Sequence, residues 1–129
     1  MKKILIIEDE KNIVTSLKMF FEYLGFAVIT SDNGSGGLYL AKHEYPDLIL
    51  LDLVLPEIDG FNVCNLLKND EKTKNIPIII ISARTSKEEI DKAISLGAKN
   101  YIAKPFSIDQ IKKIIIKYLG ESKKWIKEY

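Results

Sequence analysis

Leu48-Ile49-Leu50-Leu51-Asp52 and Ile78-Ile79-Ile80-Ile81-Ser82 decide the architecture of this chain. Each is a short run, apolar at every position, that ends on a polar residue. Such a run lacks the polar alternation of a strand with one wet face, and it suits a central strand of a parallel sheet covered on both sides. Working outward, Lys3 to Ile7, Ala27 to Thr30 and Tyr101 to Ala103 read as three further strands. Between the strands the period changes. Ile13, Leu17, Phe20 and Leu24 recur at the spacing of one helix face, and Gly25 stands where that helix should stop. Ile108, Ile111, Ile115, Tyr118 and Leu119 form a last stripe. Ser107 with Gln110 reads as a capping box at its start, and Ser86 with Glu89 repeats the device for a helix ending near Gly97. Five strands alternating with five helices predict a doubly wound α/β fold, because each parallel crossover requires a helix and turns right-handed. In such sheets ligands bind beyond the carboxyl ends of the strands, where strand order reverses.

Composition narrows the possibilities. The 129 residues, 47% hydrophobic and 29% charged, fit one globular domain. No apolar run approaches the roughly 20 residues that span a bilayer, so no membrane partner is expected. Met1-Lys2-Lys3 before Ile4 to Ile7 has the start of a signal peptide, but Glu8-Asp9-Glu10 ends the apolar stretch at once. A single cysteine, Cys64, and a single histidine, His43, leave no internal disulfide and no Cys/His zinc site, in keeping with a reducing cytoplasm. Cys64 reads as a half-buried helix residue, His43 as a solvated one, and Lys72 to Lys74 as a solvated turn. A net charge of +1 gives no nucleic-acid footprint, so no direct nucleic-acid binding is expected.

The strand ends carry the chemistry. The first strand runs into Glu8-Asp9-Glu10, the third ends at Asp52, the fourth at Ser82, and the fifth at Lys104-Pro105. If Asp9 and Asp52 approach to about 4 Å, their repulsion is about 4 kcal/mol at an effective dielectric of 20, and a cation must offset it. Hard carboxylate oxygens with room for water favour Mg²⁺. An aspartate can act as nucleophile on phosphorus, with the metal and Lys104 neutralising the phosphoryl charge and Ser82 binding one of its oxygens. Asp59-Gly60 closes a loop and begins the next helix.

Taken together, Glu8-Asp9, Asp52 followed by Pro56 and Gly60, Ser82, and Lys104-Pro105-Phe106 resemble the receiver domains of response regulators, from Lys2 to about Leu119. The resemblance implies a receiver at 1–119 with a tail at 120–129. The implied fold is flavodoxin-like, a five-stranded parallel sheet in the order 2-1-3-4-5. It implies that Asp52 is phosphorylated by a sensor histidine kinase or phosphotransfer protein. Asp9, Asp52 and the Val54 carbonyl would bind Mg²⁺, with Glu8 assisting. Lys104 would contact the phosphate, and the Lys104-Pro105 peptide would be cis. Ser82 and Tyr101 match the family's switch pair, in which the hydroxyl moves toward the phosphoryl group and the ring turns inward. The switched surface, formed by the fourth helix, fifth strand and fifth helix, would act on a downstream effector protein or domain. Val54 and Arg84, at positions that vary in the family, should flank the phosphoryl group and govern its lifetime.

Other readings fit less well. A haloacid-dehalogenase phosphatase would carry Asp-x-Asp, and Val54 stands at its second acid. A flavodoxin-like electron carrier needs a hydroxyl- and glycine-rich phosphate loop where Glu8-Asp9-Glu10 stand. A degenerate receiver, serving as a constitutive interaction module, would lack one of the acids or the lysine. The sequence leaves the oligomeric state as monomer or phosphorylation-dependent dimer. Gly97-Ala98-Lys99-Asn100 stands where pairing receivers commonly carry acids. Trp125, Ile126 and Tyr129 form an apolar strip suited to a partner or to this domain.

Overall fold

The computed structural model describes residues 1–120; the apolar strip at Trp125, Ile126 and Tyr129 lies outside them. The elements alternate throughout: β1 Lys3–Ile7, α1 Lys11–Tyr23, β2 Ala27–Ser31, α2 Gly34–Glu44, β3 Leu48–Asp52, α3 Gly60–Lys68, β4 Ile78–Ser82, α4 Lys87–Ser95, β5 Asn100–Ala103 and α5 Ile108–Leu119. All neighbouring strands are parallel, in the order β2-β1-β3-β4-β5. This is the sheet the resemblance implied.

The two-residue period of the strands divides the interior into two cores. Ile4, Ile6, Leu48, Leu50, Ile79 and Ile81 face α1 and α5, where they meet Leu17, Phe21, Ile111 and Ile115. Leu5, Ile7, Ile49, Leu51, Ile78 and Ile80 face the other way, against Ala41 of α2, Val63, Cys64 and Leu67 of α3, and Ala93 of α4. Every residue of β3 and β4 is buried. The uninterrupted apolar runs therefore follow from the double covering of the sheet.

Local devices fall close to their predicted places. Gly25 follows α1 with φ of +94°, a conformation that L side chains rarely adopt. Ser107 and Gln110 close a full capping box on α5. Three expectations need correction. Ile108 is exposed, because the apolar stripe of α5 buries only from Ile111 onward. Cys64 is fully buried, its Sγ 3.8 Å from the Leu96 carbonyl, and burial pushes its thiol pKa up. Thr73 is also buried, because its hydroxyl donates to the Leu67 carbonyl at 2.7 Å and ties the turn to α3. His43 is exposed as expected and lies against Tyr39.

Candidate phosphoacceptor site

Strand register assembles the site. Ile7 pairs with Leu51, so Glu8 emerges beside Asp52. Asp52 pairs with Ile81, which puts Ser82 one residue further along the neighbouring strand. Ser82 pairs with Ala103, and Lys104 follows. Four chain segments distant in sequence thus deliver polar side chains to one rim.

Asp52 is 3% exposed. Its Oδ1 accepts from the Val54 N–H at 3.1 Å, and its Oδ2 accepts from Lys104 Nζ at 3.2 Å. Lys104 also pairs with Glu8 Oε1 at 2.6 Å and Glu10 Oε1 at 3.0 Å. The Lys104-Pro105 peptide is cis. Burial draws the Lys104 pKa down, but hydrogen bonds to Glu8 and Glu10 and the Asp52 charge outweigh it, and the ammonium is held above its usual value. Glu8 shifts the same way, which for a carboxyl favours the neutral form. Its carboxyl is pushed up to about 7, first by burial, with the Asp52 carboxylate adding to the rise and Lys104 and the Glu10 N–H opposing it. One ammonium does not fully offset a buried carboxylate that has another beside it.

The loop after Asp52 is folded back on its own strand. Gly60 N–H donates to the Leu53 carbonyl at 2.8 Å, and a Cβ at Gly60 would stand 2.4 Å from both the Asp52 carbonyl oxygen and the Leu53 Cα. Asp59 caps α3 by accepting from the Asn62 N–H at 2.9 Å. The spacing from Asp52 to Asp59-Gly60 is the length of this closed loop.

The carboxylates at the rim fall in two overlapping groups. Ligand oxygens of Glu8, Glu10 and Asp52 lie within 4.8 Å of one another, a set able to hold a metal ion. Asp9 is exposed and lines a cleft of about 240 Å³ with Glu10, Asp52, Val54, Ala83 and Lys104. Glu10 was absent from the predicted set, although it stands two residues beyond Glu8. A divalent cation fits the donors present. They are hard carboxylate oxygens, and Glu8 Oε1 is buried with the Lys104 ammonium, 2.6 Å away, as its ion-pair partner. A larger cleft of about 560 Å³ opens alongside, between Asn12, Ile13 and Ser16 of α1 and the Pro105-Phe106 segment, with Glu10 and Lys104 on its border.

Ser82 is fully buried, and its Oγ accepts from the Arg84 N–H at 3.1 Å. Tyr101 is half-buried against the α2–α4 core, and its hydroxyl donates to the Arg84 carbonyl. Val54 is exposed at the mouth of the cleft. Arg84 turns toward α4, where its guanidinium pairs with Glu89 Oε2 at 3.3 Å. Glu89 was read only as half of a helix cap.

A parallel five-stranded sheet with an aspartate, other carboxylates and a lysine at its carboxyl rim defines the class. The chain belongs to the response regulator receiver domain family, whose sequence profile matches residues 4–116. It is 44% identical over 108 residues to the alkaline phosphatase synthesis transcriptional regulatory protein PhoP of Bacillus subtilis, covering 82% of this chain and 43% of that protein. It is 34% identical over 121 residues to the polar-differentiation response regulator DivK of Brucella ovis, covering 94% of this chain and 98% of that one. The chain therefore spans less than half of the first relative and nearly all of the second. Among solved structures, the receiver domain of the sensor histidine kinase PA1611 of Pseudomonas aeruginosa superposes with a TM-score of 0.84 at 26% identity, over 93% of this chain and 98% of that one. That receiver was solved with a magnesium ion coordinated in its active-site cleft. Receiver domains of response regulators are signalling switches of two-component systems. No helix among the described residues is long and apolar enough to cross a membrane.

Proposed function

We propose that Asp52 is the phosphoacceptor of a two-component phosphorelay and that its phosphorylation switches the surface formed by α4, β5 and α5. The observation that carries this is the setting of Asp52. It is a buried carboxylate at the end of a central strand, with Lys104 on one oxygen and the Val54 N–H on the other, and it opens on a cleft edged by further acids.

In the reaction an Asp52 oxygen forms a bond to phosphorus while the phosphorus–nitrogen bond of a partner's phosphohistidine breaks. The electron pair leaves with the imidazole, which takes up a proton. Lys104, already charged and aimed at Asp52, meets the negative charge of the incoming group, and the Ser82 hydroxyl, at the end of the neighbouring strand, would move to bind one of its oxygens. Asp9, Asp52 and the Val54 carbonyl, with Glu8 assisting, would hold Mg²⁺. When bound, Mg²⁺ supplies charge neutralisation among these acids and at the phosphoryl oxygens. The donor, a sensor histidine kinase or phosphotransfer protein, reaches Asp52 across the cleft between α1 and Pro105-Phe106.

Tyr101 couples the site to its output. Its ring is half-buried, and its hydroxyl donates to the Arg84 carbonyl. The switching motion is then release and recapture of that hydrogen bond as Ser82 moves, a shift between two packings. The output is a cytoplasmic effector protein or linked domain, reached by protein–protein contact as a monomer or phosphorylation-dependent dimer, without direct nucleic-acid binding by this domain.

Acetyl phosphate or phosphoramidate with Mg²⁺ is expected to label the protein with a hydroxylamine-labile phosphoryl group, and Asp52→Asn to abolish the label. Labelling of that variant at the wild-type rate would reject Asp52 as acceptor. Beryllofluoride should bind with Mg²⁺ and not in EDTA, since the acids repel an anion until a cation offsets them.

A further inference from the structure

The first turns of α4 and α5 carry the same sequence device and use it differently. At α5 the box closes: Ser107 Oγ accepts from the Gln110 N–H at 3.2 Å, and Gln110 Oε1 accepts from the Ser107 N–H at 2.8 Å. At α4, Ser86 Oγ accepts from the Glu89 N–H at 3.2 Å, but the Glu89 carboxylate is engaged elsewhere. Its Oε1 accepts from the Ser86 hydroxyl at 2.9 Å, and its Oε2 pairs with Arg84 Nη1 at 3.3 Å. The residue that would complete the cap instead grips an arginine.

Arg84 is fixed along its backbone by the two residues of the proposed switch. Its N–H donates to Ser82 Oγ and its carbonyl accepts from the Tyr101 hydroxyl. Its side chain is 50% exposed, so the guanidinium is the part of Arg84 that can change partners.

We propose that Glu89 is a positioning residue that holds the Arg84 guanidinium on α4 and yields it to the phosphoryl group on Asp52, thereby shortening the lifetime of that group. This rests on the phosphoacceptor reading of Asp52 above. The two anions compete unequally. Glu89 offers one oxygen in a solvent-exposed pair, and such pairs shift a competing equilibrium by about two- to fivefold. A phosphoryl group offers up to two negative charges and several acceptor oxygens to the planar fork of a guanidinium, so it takes Arg84 when it is present. Arg84 lying over the phosphoryl oxygens obstructs the water that must attack in line. Glu89 draws it off for part of the time and lets that water in. The same exchange takes a partner from the first turn of α4, which informs that helix that the site is occupied.

Glu89→Gln tests this without threatening the fold, because glutamine is the residue that closes the corresponding box on α5. Protein labelled with phosphoramidate and Mg²⁺ is freed of donor, and the loss of phosphoryl group is timed. The lifetime is expected to lengthen two- to fivefold in Glu89→Gln and to be the same in Arg84→Gln with and without Glu89→Gln. An unchanged or shorter lifetime in Glu89→Gln, or an equal lengthening in the Arg84→Gln background, would overturn the proposal. NMR of the Arg84 Nε–Hε group supplies a signature that a merely structural role would not give. Wild type and Glu89→Gln should differ before beryllofluoride with Mg²⁺ is added and coincide afterwards, whereas a wild-type signal that ignores beryllofluoride would show that Arg84 never leaves Glu89. Failure of the wild type to take any label would instead strike the Asp52 reading itself, and it appears before either variant is compared.

Discussion

Two cations follow the ends of neighbouring strands, and the molecule holds them in opposite ways. The Lys104 side chain is 10% exposed, and Glu8, Glu10 and Asp52 all pair with it. The Arg84 side chain is 50% exposed and pairs with Glu89 alone among the ion pairs described. Charges interact several times more strongly away from water, and an unpaired buried charge is costly. Lys104 is therefore a fixture, held by three carboxylates. Arg84 is exchangeable, because water can replace its partner at little cost. A site that gains and loses a phosphoryl group, as proposed for Asp52, would use one cation of each kind.

The largest test of this contrast removes the fixture. Lys104→Met should destabilise the protein in EDTA at pH 8 by about 3 kcal/mol, at the low end for a broken buried pair because Glu8, with its raised pKa, can take up a proton in relief. Urea unfolding measures this, and added Mg²⁺ should restore part of the loss by supplying the missing positive charge. A loss below about 0.5 kcal/mol, the size expected of a surface position, would show that Lys104 is no more structural than Arg84.

A second change moves the acid instead of the cation. Gly60→Ala drives a methyl group into the Asp52 carbonyl and the Leu53 backbone. The cost is about 2 kcal/mol, as for other overpacked sites, and Asp52 should shift from Lys104. Unfolding by urea and Mg²⁺-dependent labelling should fall together. Lost stability with labelling intact would mean that the loop does not position the carboxylate.

The smallest expected effect concerns the exchangeable side. Val54→Asn with Arg84→Glu introduces polar groups able to hold water and removes the guanidinium proposed to obstruct it. Dephosphorylation should speed up about tenfold, equivalent to about 1.4 kcal/mol of barrier. Decay of labelled protein in Mg²⁺ measures it, and a rate equal to or below wild type would remove both residues from control of lifetime.

The runs at Leu48 to Leu51 and Ile78 to Ile81 announced buried central strands, since a strand covered on both faces has no position where a polar side chain reaches water. The polar residues that end them, Asp52 and Ser82, were legible for the same reason, as was Lys104, because parallel strands put their carboxyl ends on one rim. The capping box at Ser107 was equally local and formed as read.

Contacts between segments were not legible. Glu8-Asp9-Glu10 offers three carboxylates in a row, and the sequence cannot say which of them turn toward Lys104. The structure selects Glu8 and Glu10 and leaves Asp9 exposed on the cleft wall. Ser86 and Glu89 repeat the pattern of Ser107 and Gln110, yet the Glu89 carboxylate turns to Arg84. Hydrophobic period and strand-end polarity are properties of one segment, and the chain states them outright. The partner a charged side chain chooses depends on the distance and burial of groups brought up from elsewhere, and that exists only once the sheet has set its register.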